Sequence, residues 1–252
     1  MASEAVELEN EGMLRTDWLT DEVVDLPMNF LDNLRKAFHF VNDLEPEWRR
    51  GVLVEPEGIT GLNSVMLCHF PFEAKKENMP EQMVIVNRLP PRIEKNTKAC
   101  LRIGKDGAWW LYYKIFSCLG MLRRYGFHPW RQVVPRRFSD KIELWDNDRA
   151  TVVKWLLKTA KTSSVRFTAN GGTLRLEAFN EANQPDGDPL EGIHLKSCTK
   201  DEEMRVTFNV GRVLVFLRSL RHTVMELDDF CTPVRFSGGG GWGLLMPMRD
   251  WN

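Results

Sequence analysis

Apolar positions change their spacing several times along the chain, and each change marks an element. In PMNFLDNLRKAFHFVNDL, Phe30, Leu31, Leu34, Phe38 and Val41 recur at helical intervals. An amphipathic helix is therefore expected within residues 27–46. After Pro46 the period shortens to the runs GVLVEP, SVMLCHFPF and MVIVNRL, separated by Pro, Gly and Asn. Several strands are expected before residue 95. ACLRIGKDGAWWLYYKIF carries the clearest hairpin signal, because Gly107 in Lys105-Asp106-Gly107 can take a positive φ between two alternating runs.

In KIELWDNDRATVVKWLLKTA, Ile142 and Leu144 alternate as in a strand, Asp146, Asn147 or Asp148 can cap, and Val152, Val153, Leu156, Leu157 and Ala160 form a helical stripe. SVRFTA, GGTLRLEAF, EGIHLKS and EEMRVTF then read as strands, with the polar loop NEANQPDGDP between the second and third. A helix follows from Asn209, its apolar face built on Val210, Val213, Leu214, Leu217, Leu220 and Val224. The grammar reads as four strands and a helix, twice. The tail from Thr232, with SGGGGWGLLMPMRDWN, is too Gly-rich for a regular element and reads as a docking or disordered segment. The expected organisation is an acidic, partly disordered arm (1–26), the helix (27–46), a main domain (47–231) and the tail (232–252).

Charge refines this picture. The 252 residues hold 34 Lys and Arg against 35 Asp and Glu, a net charge of -1. Nothing global draws the chain to a polyanion, so distribution matters. From Met1 to Asp32 there are nine acidic residues and only Arg15 among the basic ones, a solvated arm. Between Arg92 and Arg175, eighteen basic residues face six acidic ones. A locally basic domain can bind phosphates although the whole chain is near neutral.

Strand alternation then groups the candidates for contact, since i and i+2 share a face. Arg102 sits opposite Leu101 and Ile103; Trp110, Tyr112 and Lys114 share a face; Lys141, Arg166 and Arg175 point away from Ile142, Leu174 and Leu176. Lys105 lies in the hairpin turn. LRRYGFHPWRQVVPRRF adds Arg123, Arg124, Arg131, Arg136 and Arg137 among aromatic rings, a loop able to clamp a strand of nucleic acid. Cations hold the backbone while rings stack on bases, at about 1 to 3 kcal/mol per stacked base. The plainer alternative is that the aromatics fill a core or interface and the cations only solvate the surface.

Other chemistries find little footing. The five cysteines, Cys68, Cys100, Cys118, Cys198 and Cys231, are widely spaced without a CxxC pair, so neither a disulfide framework nor a metal site is expected. No GxGxxG, P-loop, HExxH or GxSxG motif occurs, so no catalysis, no cofactor and no small-molecule substrate are expected. No apolar run approaches the roughly 18 residues of a bilayer span. The acidic N-terminus does not read as a transit peptide.

The runs LRIGKDGAWWLYYKI, DKIELWDNDRATVVKWLL, TLRLEAF with PDGDPLEGIHLKS, and EMRVTFNVGRVLVFLRSL resemble, in order and spacing, the Whirly family over roughly residues 97 to 230. The resemblance implies an α+β fold, two antiparallel four-stranded sheets each followed by a helix (ββββα twice), with residues 27–46 as an added helix. The chain lacks the KGKAAL motif of plant members, which places it nearer the kinetoplastid mitochondrial guide-RNA-binding proteins than the plant single-stranded DNA-binding ones. It further implies a single-stranded RNA-binding subunit, DNA being possible, in a mitochondrial RNA editing or stability complex. The alternative is a scaffold subunit of a mitochondrial ribonucleoprotein acting through protein contacts. Oligomerisation, homo- or hetero-, is expected through the second helix, on Val213, Phe216, Leu217 and Leu220.

Overall fold

The computed structural model describes residues 23–41, 51–72, 82–85, 98–103, 108–113, 116–121, 129–159, 163–199, 203–220, 223–229 and 231–248. The first unit runs β1 (Val23–Asp25), α1 (Phe30–Phe38), β2 (Val52–Glu55), β3 (Gly58–Leu62), β4 (Met66–Pro71), β5 (Met83–Ile85), β6 (Cys100–Ile103), β7 (Ala108–Tyr113) and β8 (Phe116–Met121). A 3-10 turn (Trp130–Val133) leads into the second unit. This comprises β9 (Asp140–Leu144), α2 (Asp146–Lys158), β10 (Ser164–Asn170), β11 (Thr173–Phe179), β12 (Leu190–Cys198), β13 (Met204–Asn209), α3 (Val210–Ser219), β14 (Val224–Leu227), β15 (Val234–Gly238) and β16 (Gly241–Leu245).

Pairing shows the plan. In the second unit β9 joins β14, β15 and β16, while β13 joins β10, β11 and β12. The module is therefore β-α-β-β-β, twice, with the first strand of each module exchanged into the sheet of the other. The first unit repeats the exchange: β1 extends β6-β7-β8 and β5 extends β2-β3-β4. The units join where β16 pairs antiparallel with β4, Trp242 opposite His69 and Leu245 opposite Met66.

Each helix forms for a local reason. Phe30, Leu31, Leu34, Ala37 and Phe38 put a buried stripe on α1, within the segment whose spacing predicts a helix. Gly61 of β3 admits it, because a Cβ there would press on the Ala37 carbonyl oxygen. Helix α2 buries only Val152 and Leu156, and its first turn carries Asp146 and Asp148, favourable at the positive end of the helix dipole. The Asn209 side chain caps α3 by accepting from the Arg212 backbone N–H at 3.1 Å. Asn147 and its neighbours do not cap α2; Trp145 holds that position without a side-chain cap bond.

One continuous core serves both units. A line of rings crosses it: Phe40 to Phe216 at 4.8 Å, Phe216 to Phe236 at 4.9 Å, Phe236 to Phe208 at 5.6 Å and Phe208 to Phe167 at 5.5 Å. Such pairs add roughly 0.5–1.5 kcal/mol each beyond area burial.

Three expectations need correction. The modules are not ββββα, because β9 and β13 precede their helices while pairing across to the opposite sheet. Helix α1 is not an addition, since it is the helix of the first module. The Gly-rich tail is not irregular: β15 and β16 form a hairpin whose turn uses Gly239 and Gly240 at positive φ. Residues 1–22 of the acidic arm and 42–46 of the expected helical segment lie outside the described residues. Among the described residues no helix is long and apolar enough to cross a membrane.

Candidate functional site

Cations on the sheets are largely neutralised by acids that strand register brings beside them. Arg175 pairs with Glu177 at 2.9 Å and Glu191 at 3.4 Å, Lys196 with Glu143 at 2.6 Å, Arg205 with Glu203 at 2.5 Å and Arg235 with Glu226 at 3.6 Å. Lys141 lies 3.7 Å from the same Glu143. The hydrogen bond from Lys196 holds the Glu143 carboxyl below the usual range, so this pair stays ionised. Arg166 is half-buried over the Phe179 ring at 4.7 Å, and Arg102 is half-buried on β6 opposite Trp110. Trp110 and Tyr112 are placed on β7, but their side chains, like Lys105, Lys114, Arg123 and Arg124, lie outside the described residues. The described members of the expected cation-and-aromatic face are thus mostly committed to internal partners. Arg136 and Arg137 remain exposed in the loop before β9.

The helices present a different surface. Together α1, α2 and α3 carry seven basic residues (Arg35, Lys36, Arg149, Lys154, Lys158, Arg212, Arg218) against Asp32, Asp146 and Asp148. Asp32 engages both Arg35 and Lys36, and Arg149 donates to the Leu217 carbonyl at 2.6 Å, tying α2 to α3. Among the described residues, the side chains of Lys154, Lys158, Arg212 and Arg218 have no ion-pair or hydrogen-bond partner. Lys154 and Lys158 share one face of α2 at i and i+4. These four cations are free to meet an external anion. Sequence reasoning missed them by looking for binding on strands.

The residues expected to join subunits lie elsewhere. Val213, Phe216 and Leu217 are fully buried and Leu220 nearly so, all within this chain's own core. They cannot reach a partner without opening it. The apolar residue that α2 leaves outside is Leu157, 51% exposed.

A cleft of about 200 Å³ opens at the junction of the units. Its sides are the β3–β4 hairpin (residues 62–67), Trp130 and Val133 of the 3-10 turn, and Pro233, Leu244 and Met246. None of these carries a charge. The hairpin is fixed by Asn63, whose Oδ1 accepts from Val65 and Met66 N–H at 3.0 and 2.9 Å and whose amide donates to the Phe40 carbonyl at 2.9 Å. Met246 N–H reaches the Val65 carbonyl at 3.0 Å, closing the C-terminal side. Val133 (48%) and Met246 (39%) remain exposed at its edge. Such a preformed apolar cleft is what a short apolar segment needs.

Behind the cleft, rings stack across the junction. Trp130 lies 5.0 Å from His69, near parallel, Trp242 is 5.6 Å from His69, and the two indoles are 5.9 Å apart, so the three rings form one triangle. Arg131 covers Trp130 at 4.4 Å and Arg235 covers Trp242 at 5.1 Å. Burial lowers the His69 pKa, with Arg131 acting the same way and Glu55 and Glu57 against it. The ring is therefore neutral near pH 7, with Thr60 Oγ1 at 3.0 Å from Nδ1. Burial pushes the Cys68 thiol up, away from reactivity. Among the described residues no cluster of three His, Cys, Asp or Glu could hold a metal.

No protein-family model matches the chain, and no curated protein matches it by sequence. Solved structures do. A DNA polymerase sliding clamp from Pseudomonas aeruginosa superposes with a TM-score of 0.71 at 15% identity, over 90% of this chain and 67% of that one. The clamp from Caulobacter crescentus gives 0.73 at 13% over 91% and 66%, and that from Bacillus subtilis 0.72 at 12% over 92% and 66%. The chain spans about two thirds of the length of these clamps. The fold is the sliding-clamp fold, not the Whirly fold. The single-stranded RNA partner, the RNA-processing role and the mitochondrial location rested on the Whirly resemblance and fall with it.

Proposed function

We propose that this chain is a non-enzymatic subunit of a DNA sliding clamp, which surrounds duplex DNA with its helix faces and holds a polymerase-type partner at the junction cleft. The contrast in charge pairing among the described residues carries this reading: most sheet cations are paired in place, while Lys154, Lys158, Arg212 and Arg218 on helices have no partner. A protein that slides must attract phosphates without reading bases, and unpaired Lys and Arg on a rigid surface do so by releasing counterions. The extended sheet supplies the rigidity, with β16 on β4 fixing one unit against the other.

Enclosure requires further copies of the chain. Leu157, exposed on α2 where that helix packs beside β12, is the apolar contact such a copy would cover. Light scattering on the purified chain tests this. The native chain should give an oligomer, and Leu157→Asp should reduce it to the monomer mass with the fold retained. A native monomer at high concentration, or an oligomer indifferent to Leu157→Asp, would count against enclosure.

The cleft accepts the partner in this reading. It offers an uncharged lining and exposed Val133 and Met246, so an extended segment bearing aliphatic or aromatic side chains fits it and an acidic one does not.

A further inference from the structure

A buried carboxylate stands behind the cleft, bonded to the 3-10 turn that lines it. Glu55 ends β2 with its side chain only 5% exposed. It receives three donors: Trp130 Nε1 on Oε2 at 3.2 Å, and the two terminal nitrogens of Arg131 on Oε1 at 3.0 Å and Oε2 at 3.2 Å. Both donor residues belong to the 3-10 turn, and the same Arg131 guanidinium lies over the Trp130 ring. The described backbone hydrogen bond of this turn, Gln132 N–H to the Pro129 carbonyl, is internal to it. The turn is therefore fastened to the sheet by side chains, through Glu55 and through Trp130 packing on His69 and Trp242.

From this geometry we infer that Glu55 is a positioning residue for the cleft: it clamps the Trp130–Val133 turn, which forms one wall of the cleft, and so sets whether an apolar segment can be held there. The inference rests on the reading of the cleft as the partner site. Glu55 touches no cleft occupant, because it does not line the cleft; it acts through Trp130, which does. Fixing Trp130 also fixes Val133, three residues along in the same turn and likewise lining the cleft. A buried carboxylate is a costly way to fill space, since an apolar side chain of the same length packs there without desolvation. Its retention is accounted for by the directionality of three converging hydrogen bonds, which an apolar contact cannot supply.

The test uses the full chain and the variants Glu55→Met, which keeps length and volume but removes both acceptors, and Glu55→Gln, which keeps one. Two quantities are read. The first is hydrogen exchange of the Trp130 indole N–H in tryptophan-labelled protein, identified by its loss in Trp130→Phe. The second is affinity for griselimycin, the ligand of one P. aeruginosa clamp structure. Glu55→Met should speed indole exchange at least roughly ten-fold and weaken griselimycin about ten-fold or more, with Glu55→Gln between. Duplex DNA binding should stay unchanged. Glu55→Met combined with Trp130→Phe should bind griselimycin no more weakly than Trp130→Phe alone, an outcome a general loss of stability would not give. Unchanged exchange and affinity in Glu55→Met, or additive losses in the double variant, would overturn the inference. If the native chain fails to take griselimycin, indole exchange decides: faster exchange in Glu55→Met supports Glu55 as the clamp on the turn, and unchanged exchange overturns it.

Discussion

Replacing Lys154, Lys158, Arg212 and Arg218 together by Ala removes the four open helix cations while leaving every sheet ion pair in place. Alanine is the best helix former, so α2 and α3 should keep their shape. Each phosphate neutralised contributes about 0.9 to the slope of log affinity against log salt, or roughly eight-fold, about 1.2 kcal/mol, near 0.1 M salt. If all four cations meet phosphates, the slope becomes shallower by about 3.6 and affinity falls roughly four-thousand-fold; if only two do, the changes are about 1.8 and sixty-fold. The control is Arg175→Ala, Lys196→Ala and Arg205→Ala. These side chains are held by Glu177, Glu143 and Glu203, and their effect beyond a Debye length of about 10 Å is screened. The control should therefore leave the slope nearly as steep as in the native chain. Anisotropy of a short labelled duplex across a salt series measures both variants. A control that flattens the slope more than the helix variant would refute the assignment and restore the sheets as the binding face.

Two further outcomes follow from the junction. His69 is neutral in the folded chain because burial lowers its pKa, whereas the unfolded chain protonates near 6.5. The unfolded state then binds more protons on acidification, so the His69 contribution is intact above pH 6.5 and is lost as pH falls toward the folded value, at no more than about 1.4 kcal/mol per pH unit. Melting temperature followed through this range should drop in the native chain and drop less in His69→Gln; equal pH dependence in both would remove His69 from the account. At Gly243 a Cβ would press on the Leu67 carbonyl oxygen and on the ring of Phe216, one of them backbone that cannot swing away. Gly243→Ala should cost about 1 to 3 kcal/mol by overpacking, seen as a lowered denaturation midpoint, and an unchanged midpoint would show that β16 and β4 have room to separate.

How much of this was readable in the sequence depends on whether a feature is local. Val165, Phe167 and Ala169 alternate with Arg166 and Thr168, and β10 follows that alternation; Val210, Val213, Leu214 and Leu217 recur at helical spacing, and α3 follows that. Between residues 140 and 220 the order strand, helix, four strands, helix was legible. Its phase was not. A string of helices each separated by four strands reads equally as ββββα or βαβββ, and only pairing decides, through partners such as Met225 and Ile142 that lie far apart in the chain. The deciding clue stood in the tail, where Val234 and Phe236 alternate before the Gly-Gly turn, and Leu244 and Leu245 follow it. The Gly content there suggests a docking or disordered segment, but Gly243 is small because β4 and Phe216 crowd it. The same dependence on register misdirected the charge reading. A basic excess counted from Arg92 to Arg175 omits Glu177 and Glu191, the acids that β11 and β12 bring against Arg175. Once those pairs are drawn, Arg175 is no longer an open cation, whereas Lys154 and Lys158 of the same stretch still are. Among the described residues, the cations left unpaired include Arg136 and Arg137 in the loop before β9 and Lys154, Lys158, Arg212 and Arg218 on helices.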